Sequence, residues 1–239
     1  MARPSRASQM PNLRESIKDA AWRQITESGA ASLSLRSIAR DLGITAPAIY
    51  NYFADRDALV TALIIDAYAS FGDCQQEAKE AHSGPGREVE RLRATGIAYR
   101  KWAIEHPHRY LLIFGSPVPG YIPPMQELLP VMMRSLDALV GTIAELHQLG
   151  RLDAGSVPLP LVDSGHRFFT LLETEDESML AVYAVSILVW SRVHGLVSLE
   201  ITGQLPQFAQ GGAALYRFEL ESICRQFIRA PEDEQEIIP

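Results

Sequence analysis

The sequence predicts an all-α protein. Three observations carry that expectation. Apolar residues recur at three- and four-residue spacing through most of the 239 residues, capping residues and Gly/Pro breaks bound those runs, and no segment sustains the two-residue alternation of a half-buried strand. With 47% hydrophobic and 21% charged residues, the chain falls among ordinary globular proteins and can bury a full core.

Residues 1–11 are polar, carry Pro4 and Pro11, and read as a flexible arm. Asn12 starts the first helix, where Asn-x-x-Glu with Glu15 can form a reciprocal cap. Ile17, Ala21 and Ile25 follow at four-residue spacing, and Gly29 ends the run. A second, short helix runs from Ser34 as cap to Gly43 as stop, with Ile38, Ala39 and Leu42 inward. Thr45 caps a third, with Pro47 in its first turn, where a missing N–H is harmless. Asp55 caps a longer fourth helix carrying Leu59, Leu63, Ala67 and Phe71. The break at His82–Gly86 closes it. Further helical patterns cover 87–105, 107–114, 125–150, 156–172, 178–203 and 206–229. Between two of them, Gly115–Pro124 holds four prolines in ten residues and must be a loop. The tail, 230–239, is acidic.

Composition excludes several classes. Cys74 and Cys224 imply neither a disulfide framework nor a zinc site, and fit a reducing cytoplasm. The apolar stretch at 179–190 is broken by Tyr183 and Ser186 and reads as too short to span a bilayer, so no membrane partner is expected. Asp163, Ser164 and His166 lie near one another, but no strand-turn-helix elbow surrounds Ser164. No HExxH, phosphate-cradling glycine loop or paired-carboxylate pattern is present, so neither catalysis nor a metal or cofactor is expected. The formal charge of −7 is unevenly spread: residues 1–60 sum to +2 and the remainder to −9. One end is mildly basic, as required if only that end meets phosphates.

The most informative stretch is Ser34–Phe53, SLRSIARDLGITAPAIYNYF. Two short helices joined at Leu42-Gly43-Ile44 make a tight bend, pinned by Ile38, Leu42, Ile49 and Phe53. Ala46, Pro47, Tyr50 and Asn51 then lie on the outer side of the second helix. Small residues and hydrogen-bonding tips suit a helix entering a major groove about 12 Å wide. Tyr50 and Tyr52 can each offer a hydroxyl to a phosphate oxygen, and Arg56 begins a helix whose free N–H groups suit the same anion. Spacing alone leaves an ordinary helical pair in an α-bundle as an equal reading.

Residue identities decide further. Ile17 through Leu59 resembles the tetracycline-repressor (TetR) family of bacterial regulators. The matching residues are Ala20-Ala21, Gly29, Leu35-Arg36, Ile38-Ala39, Leu42-Gly43-Ile44, Ala48-Ile49-Tyr50-Asn51-Tyr52-Phe53 and Arg56-Asp57-Ala58-Leu59. The resemblance implies a three-helix DNA-binding domain whose third helix reads operator DNA, here through Thr45, Ala46, Pro47, Ala48, Tyr50, Asn51 and Tyr52. Relatives usually carry Lys where Arg56 stands; Arg keeps the charge. Leu35 and Arg36 fall at positions near DNA in relatives. Arg36 reads equally as a bidentate base contact or a phosphate clamp. Arg3 and Arg6 resemble the basic arms of some relatives, or are a plain leader.

Residues 59–229 are expected to form a helical effector-binding and dimerisation domain after a DNA-binding domain at 1–58. The 178–203 helix is apolar nearly all round and must be buried on more than one side. Ala184, Ser191, Gly195 and Ser198 form a smooth strip along it, and Leu215, Phe218 and Ser222 of the last helix offer a neighbour. These residues predict a homodimer built on a four-helix interface. Trp190, His194 and Gly195 resemble a TetR C-terminal subclass marked by a Trp…His-Gly motif. His194 reads by default as a hydrogen-bonded structural imidazole, with a metal ligand or proton switch as the alternative. Candidate walls for a small, largely apolar effector are Tyr99, Trp102, His106, Tyr110, Phe114, His166, Phe168 and Phe169, each of which reads otherwise as plain core. The implied activity is a ligand-responsive repressor that binds a near-palindromic operator.

Overall fold

The computed structural model describes residues 12–154, 177–206 and 212–230. Among them, nine α-helices and one 3-10 turn follow one another: α1 (Leu13–Ser28), the turn Ala30–Ser32, α2 (Leu35–Leu42), α3 (Ala46–Tyr50), α4 (Arg56–Glu80), α5 (Glu88–Glu105), α6 (Pro107–Phe114), α7 (Met125–Gln148), α8 (Glu177–Ile201) and α9 (Ala213–Phe227). The described residues form no strand beyond one antiparallel bridge between Leu152 and Ile228. The fold is all-α, as the periodicity requires. The helical pattern at 156–172, with Asp163, Ser164, His166, Phe168 and Phe169, lies outside the described residues.

The chain gathers into two compact units, 1–71 with 105–134, and 72–104 with 135–239. The division differs from the expected boundary after residue 58 for two reasons. Helix α4 runs unbroken to Glu80, and α6 with its following loop packs with the N-terminal helices.

In the first unit, Ile17, Ala21 and Ile25 of α1 meet Ile38, Ile49, Phe53, Leu59 and Leu63, all at most 4% exposed. Asn12 caps α1 by accepting from the Glu15 amide, while the Glu15 carboxylate pairs with Lys18 at 2.9 Å. Lys18 also reaches Asp66 at 2.7 Å, tying α1 to α4. Phe114 of α6 stands edge-on to Tyr68 and Phe71 of α4, with ring centroids 5.9 and 5.4 Å apart. Edge-to-face pairs of this kind add to plain burial because each ring's positive edge meets a negative face. Burial pushes the Tyr68 phenol up to about 12.

The second unit holds the rear of α4, α5, most of α7, α8 and α9. Arg91 and Glu88, both buried, form an ion network with Glu145, Lys79 and Arg151. Helices α5 and α9 approach so closely that a β-carbon on Gly96 would meet Leu220 at 2.6 Å, and the Tyr216 hydroxyl donates to the Gly96 carbonyl at 2.7 Å. Val182, Val185, Val189, Val193 and Val197 form the buried stripe of α8. Here the expectation that this apolar stretch is too short for a bilayer is corrected. Met179–Ile201, 23 residues with mean hydropathy 1.6, is long and apolar enough by those measures. Ser186 does not interrupt it, because its hydroxyl donates to the Val182 carbonyl at 2.7 Å within the helix.

Candidate nucleic-acid interface

Ser34 caps α2 by accepting from the Ser37 amide, and Gln24 of α1 accepts from the Ser34 amide at 2.7 Å. The side chains of Leu35, Ile38 and Ala39 turn inward. Gly43 then adopts φ 65°, ψ 32°, and its amide donates back into the last turn of α2. That left-handed conformation suits glycine and produces the bend. Helix α3 spans only Ala46–Tyr50, and the Thr45 side chain makes no capping bond to it. Such a segment cannot be helical on propensity alone. It is held by Ile49, fully buried against the head, by Phe53 just beyond, and by Arg14. The Arg14 guanidinium lies 4.7 Å from the centre of the Phe53 ring and donates to the Tyr52 carbonyl at 3.4 Å.

With those anchors inward, the opposite side of the motif faces out. Tyr50 is 44% and Tyr52 41% exposed; Arg36, Thr45, Pro47 and Asn51 are exposed as well, and Ala46 and Ala48 half-buried. The surface thus joins one guanidinium, two phenols, an amide and a hydroxyl around small residues, and can hydrogen-bond to phosphates and base edges.

Two candidates sit differently from expectation. Leu35 is only 5% exposed, because it belongs to the inward apolar face of α2, so its side chain offers nothing to a ligand on the outer surface. Arg56 is half-buried rather than free. Its Nη1 donates to the Pro119 carbonyl at 3.3 Å and lies 3.6 Å from the Asp57 carboxylate. Asp55 caps α4 as expected, accepting from the Ala58 amide at 2.7 Å. Sequence reasoning missed Arg14 and Gln24, whose contacts span 38 and 10 residues and leave no local signature.

Of the effector candidates, Tyr99 and Trp102 are buried in the second unit, whereas His106, Tyr110 and Phe114 belong to the first. Tyr110 and Phe114 pack on each other with centroids 5.2 Å apart. Burial and the nearby Arg109 charge hold the His106 imidazole below its ordinary value. The Tyr99 hydroxyl lies 2.9 Å from His194 Nδ1, Ser198 Oγ lies 3.3 Å from Nε2, and the Trp190 ring is 4.8 Å away. His194 is therefore a hydrogen-bonded imidazole, held below its ordinary pKa by burial. A cavity of about 390 Å³ in the first unit is lined by Ile25, Gly29, Leu111, Leu112 and Ser116–Pro119, and by none of the candidate effector residues.

Of the interface candidates, Ser191 is exposed, and Ala184, Gly195, Ser198, Leu215 and Ser222 are half-buried, while Phe218 is 63% exposed. Ser222 is engaged within the chain, since Arg192 donates to its hydroxyl at 3.2 Å. Ile187, Leu188 and Leu199, which belong to the helix read as apolar nearly all round, are also exposed and widen the smooth strip into an apolar face. A β-carbon on Gly195 would meet nothing within 4 Å, so this glycine serves no close approach inside the chain.

Residues 17–63 match the model of bacterial regulatory proteins of the tetR family, and residues 92–223 match the tetracyclin repressor-like C-terminal domain. The chain is 34% identical over 184 residues to the HTH-type transcriptional regulator Mb1846 of Mycobacterium bovis, covering 76% of this chain and 77% of that one. The crystal structure of the regulatory protein SCO4313 superposes with a TM-score of 0.69 at 32% identity, covering 91% of this chain and 96% of the other. The SmeT–triclosan complex shares the fold with a TM-score of 0.59 at 16% identity, over 95% and 98% of the two chains. The chain belongs to the tetracycline-repressor family of DNA-binding transcription regulators.

Proposed function

We propose that the protein is a cytoplasmic repressor that binds a near-palindromic operator as a homodimer and is released by a small, largely apolar effector. Residues 1–58 carry the DNA-binding function, residues 59–229 the effector and dimer functions, and 230–239 form an acidic tail. The observation that carries this reading is the outward surface of Arg36, Thr45, Pro47, Tyr50, Asn51 and Tyr52 on a buried three-helix frame. Two copies would set their α3 helices in successive major grooves about 34 Å apart. Effector binding would favour a different spacing, and the coupling is reciprocal: operator DNA must weaken effector binding by the same factor.

The homodimer reading rests on the exposed Ile187, Leu188, Leu199 and Phe218 beside Gly195. A second copy suits this face better than lipid, because α8 also carries Arg192 and Glu200, each paired with a neighbouring helix. Ionised groups are costly in hydrocarbon. We assign the C-terminal domain to the Trp-His-Gly subclass, on the tilted contact of Trp190 with His194, ring centroids 4.8 Å apart. The effector reading draws support from SmeT, a protein of the same fold seen with triclosan; in this chain Tyr99 and Trp102 are its candidate contacts within the second unit.

A direct test uses duplexes selected from a random library by the protein itself. Tyr50→Ala should weaken binding by about tenfold, the worth of one good contact, with melting temperature and oligomeric state unchanged. Equal affinity in the variant would remove α3 as the reading helix.

A further inference from the structure

Arg56 stands at the first turn of α4, beside the exposed surface of α3, yet its guanidinium is turned toward the proline-rich loop 115–124. Its Nη1 bond to the Pro119 carbonyl is long, at 3.3 Å, and its Nε is buried with no hydrogen-bond partner. A half-buried guanidinium whose Nε is buried and unpaired is held below its full bonding capacity. The loop has a second tie to the same helix: the Tyr121 hydroxyl lies 2.9 Å from the hydroxyl of buried Thr61, one turn and a half further along α4. Pro117 and Pro119 before the turn and Pro123 and Pro124 after it restrict the loop's backbone, while Gly120 at φ 76° is the one residue between the two ties. On its other side, Ser116–Pro119 border the open cavity of about 390 Å³. The loop therefore has space into which it can withdraw.

We propose that this loop is an autoinhibitory latch: the Pro119 carbonyl, steadied by the Thr61–Tyr121 bond, occupies the guanidinium of Arg56 and competes with a DNA phosphate for it. The proposal rests on the DNA-binding reading and adds its regulation. A phosphate offers an anionic, multidentate acceptor in place of one neutral carbonyl, so binding DNA pulls Arg56 out of the latch and frees the loop. By the same linkage, whatever fastens the loop weakens DNA binding, and whatever loosens it strengthens binding. Asp57, 3.6 Å from the same guanidinium, helps hold it in the latched position.

The test removes the second tie and leaves Arg56 untouched. Tyr121→Phe and Thr61→Val each delete one hydroxyl at nearly constant shape, and the two variants guard against a folding defect in either. Affinity is measured by fluorescence anisotropy on a duplex selected by the wild-type protein, across a salt series. The latch predicts binding about threefold tighter in both variants, the worth of a modest hydrogen bond. The slope of log affinity against log salt should stay unchanged, because Arg56 reaches the same phosphate in wild type and variants once DNA is bound. In an Arg56→Ala background, Tyr121→Phe should change neither quantity. Unaltered affinity in the single variants, or a gain that persists without Arg56, overturns the latch and leaves the DNA-binding reading intact. Failure of the wild-type protein to select or bind any duplex overturns both.

Discussion

A single imidazole shows how burial becomes a pH dependence. His194 sits between Tyr99 and Ser198 with Trp190 across its face, and burial holds its pKa below the ordinary value. The folded state therefore binds a proton less readily than the unfolded chain. The contribution of this group is present above the unfolded value of about 6.5 and is lost as pH falls through that value toward the lower, folded one. Denaturation melts on the wild type and on His194→Gln should diverge in that acidic window, with the wild type losing stability more steeply. Parallel curves would mean that the imidazole titrates alike in both states. The sequence made His194 legible as a structural residue, because the helix carries no second ligand at helical spacing. Its partner Tyr99 was read instead as a pocket wall. The bond joins residues 95 positions apart, and nothing in the local pattern of α5 announces it.

At the scale of elements, legibility followed the strength of local rules. The caps Ser34 and Asp55, the left-handed Gly43 and the helical periods of α4 to α6 are local, and each stands where the pattern puts it. The resting contact of Arg56 was not legible because its partner is a loop carbonyl 63 residues away. Leu35 was misjudged because family position was weighed above the inward apolar face it shares with Ile38 and Ala39. Helix α3 depends even more on distant contacts. With five residues it gains little from its own hydrogen bonds, and Arg14 closes its exit through the Tyr52 carbonyl and the face of Phe53. Arg14→Gln should therefore lower affinity for a selected duplex by about threefold, from loss of a cation–π contact worth under about 1 kcal/mol at an exposed site. Arg14→Lys separates positioning from simple charge attraction. It keeps the charge but not the planar contact, so it should fall close to the Gln variant. A Lys variant as tight as the wild type would make Arg14 a diffuse charge and nothing more.

For the whole molecule, charge and apolar surface divide the labour. The first 60 residues carry +2 and the remainder −9, so the acidic part of the chain is repelled by the same duplex that attracts the head. That repulsion orients the protein but does not join two heads; the apolar face on α8 and α9 can. Phe218, 63% exposed, has Arg225 packed 5.9 Å from its ring centre, and Ile187, Leu188 and Leu199 stand out along α8. If a second copy covers this face, Phe218→Glu places a charge in a desolvated contact and should dissociate the dimer at micromolar concentration, seen by sedimentation velocity. The substitution leaves the monomer core untouched, because so exposed a side chain makes few contacts at home, and circular dichroism should be unchanged. Gly195→Leu probes the same face from the other helix. Among the described residues, nothing beyond its chain neighbours and its own helix backbone lies within 4 Å of where its side chain would begin, so that first carbon crowds no other helix of the chain. Both variants should also lose cooperative binding to a two-site operator while retaining weak binding to a half-site, since each head stays folded. A dimer that survives both changes would place the interface elsewhere, and with it the geometry that sets the spacing of the two recognition helices.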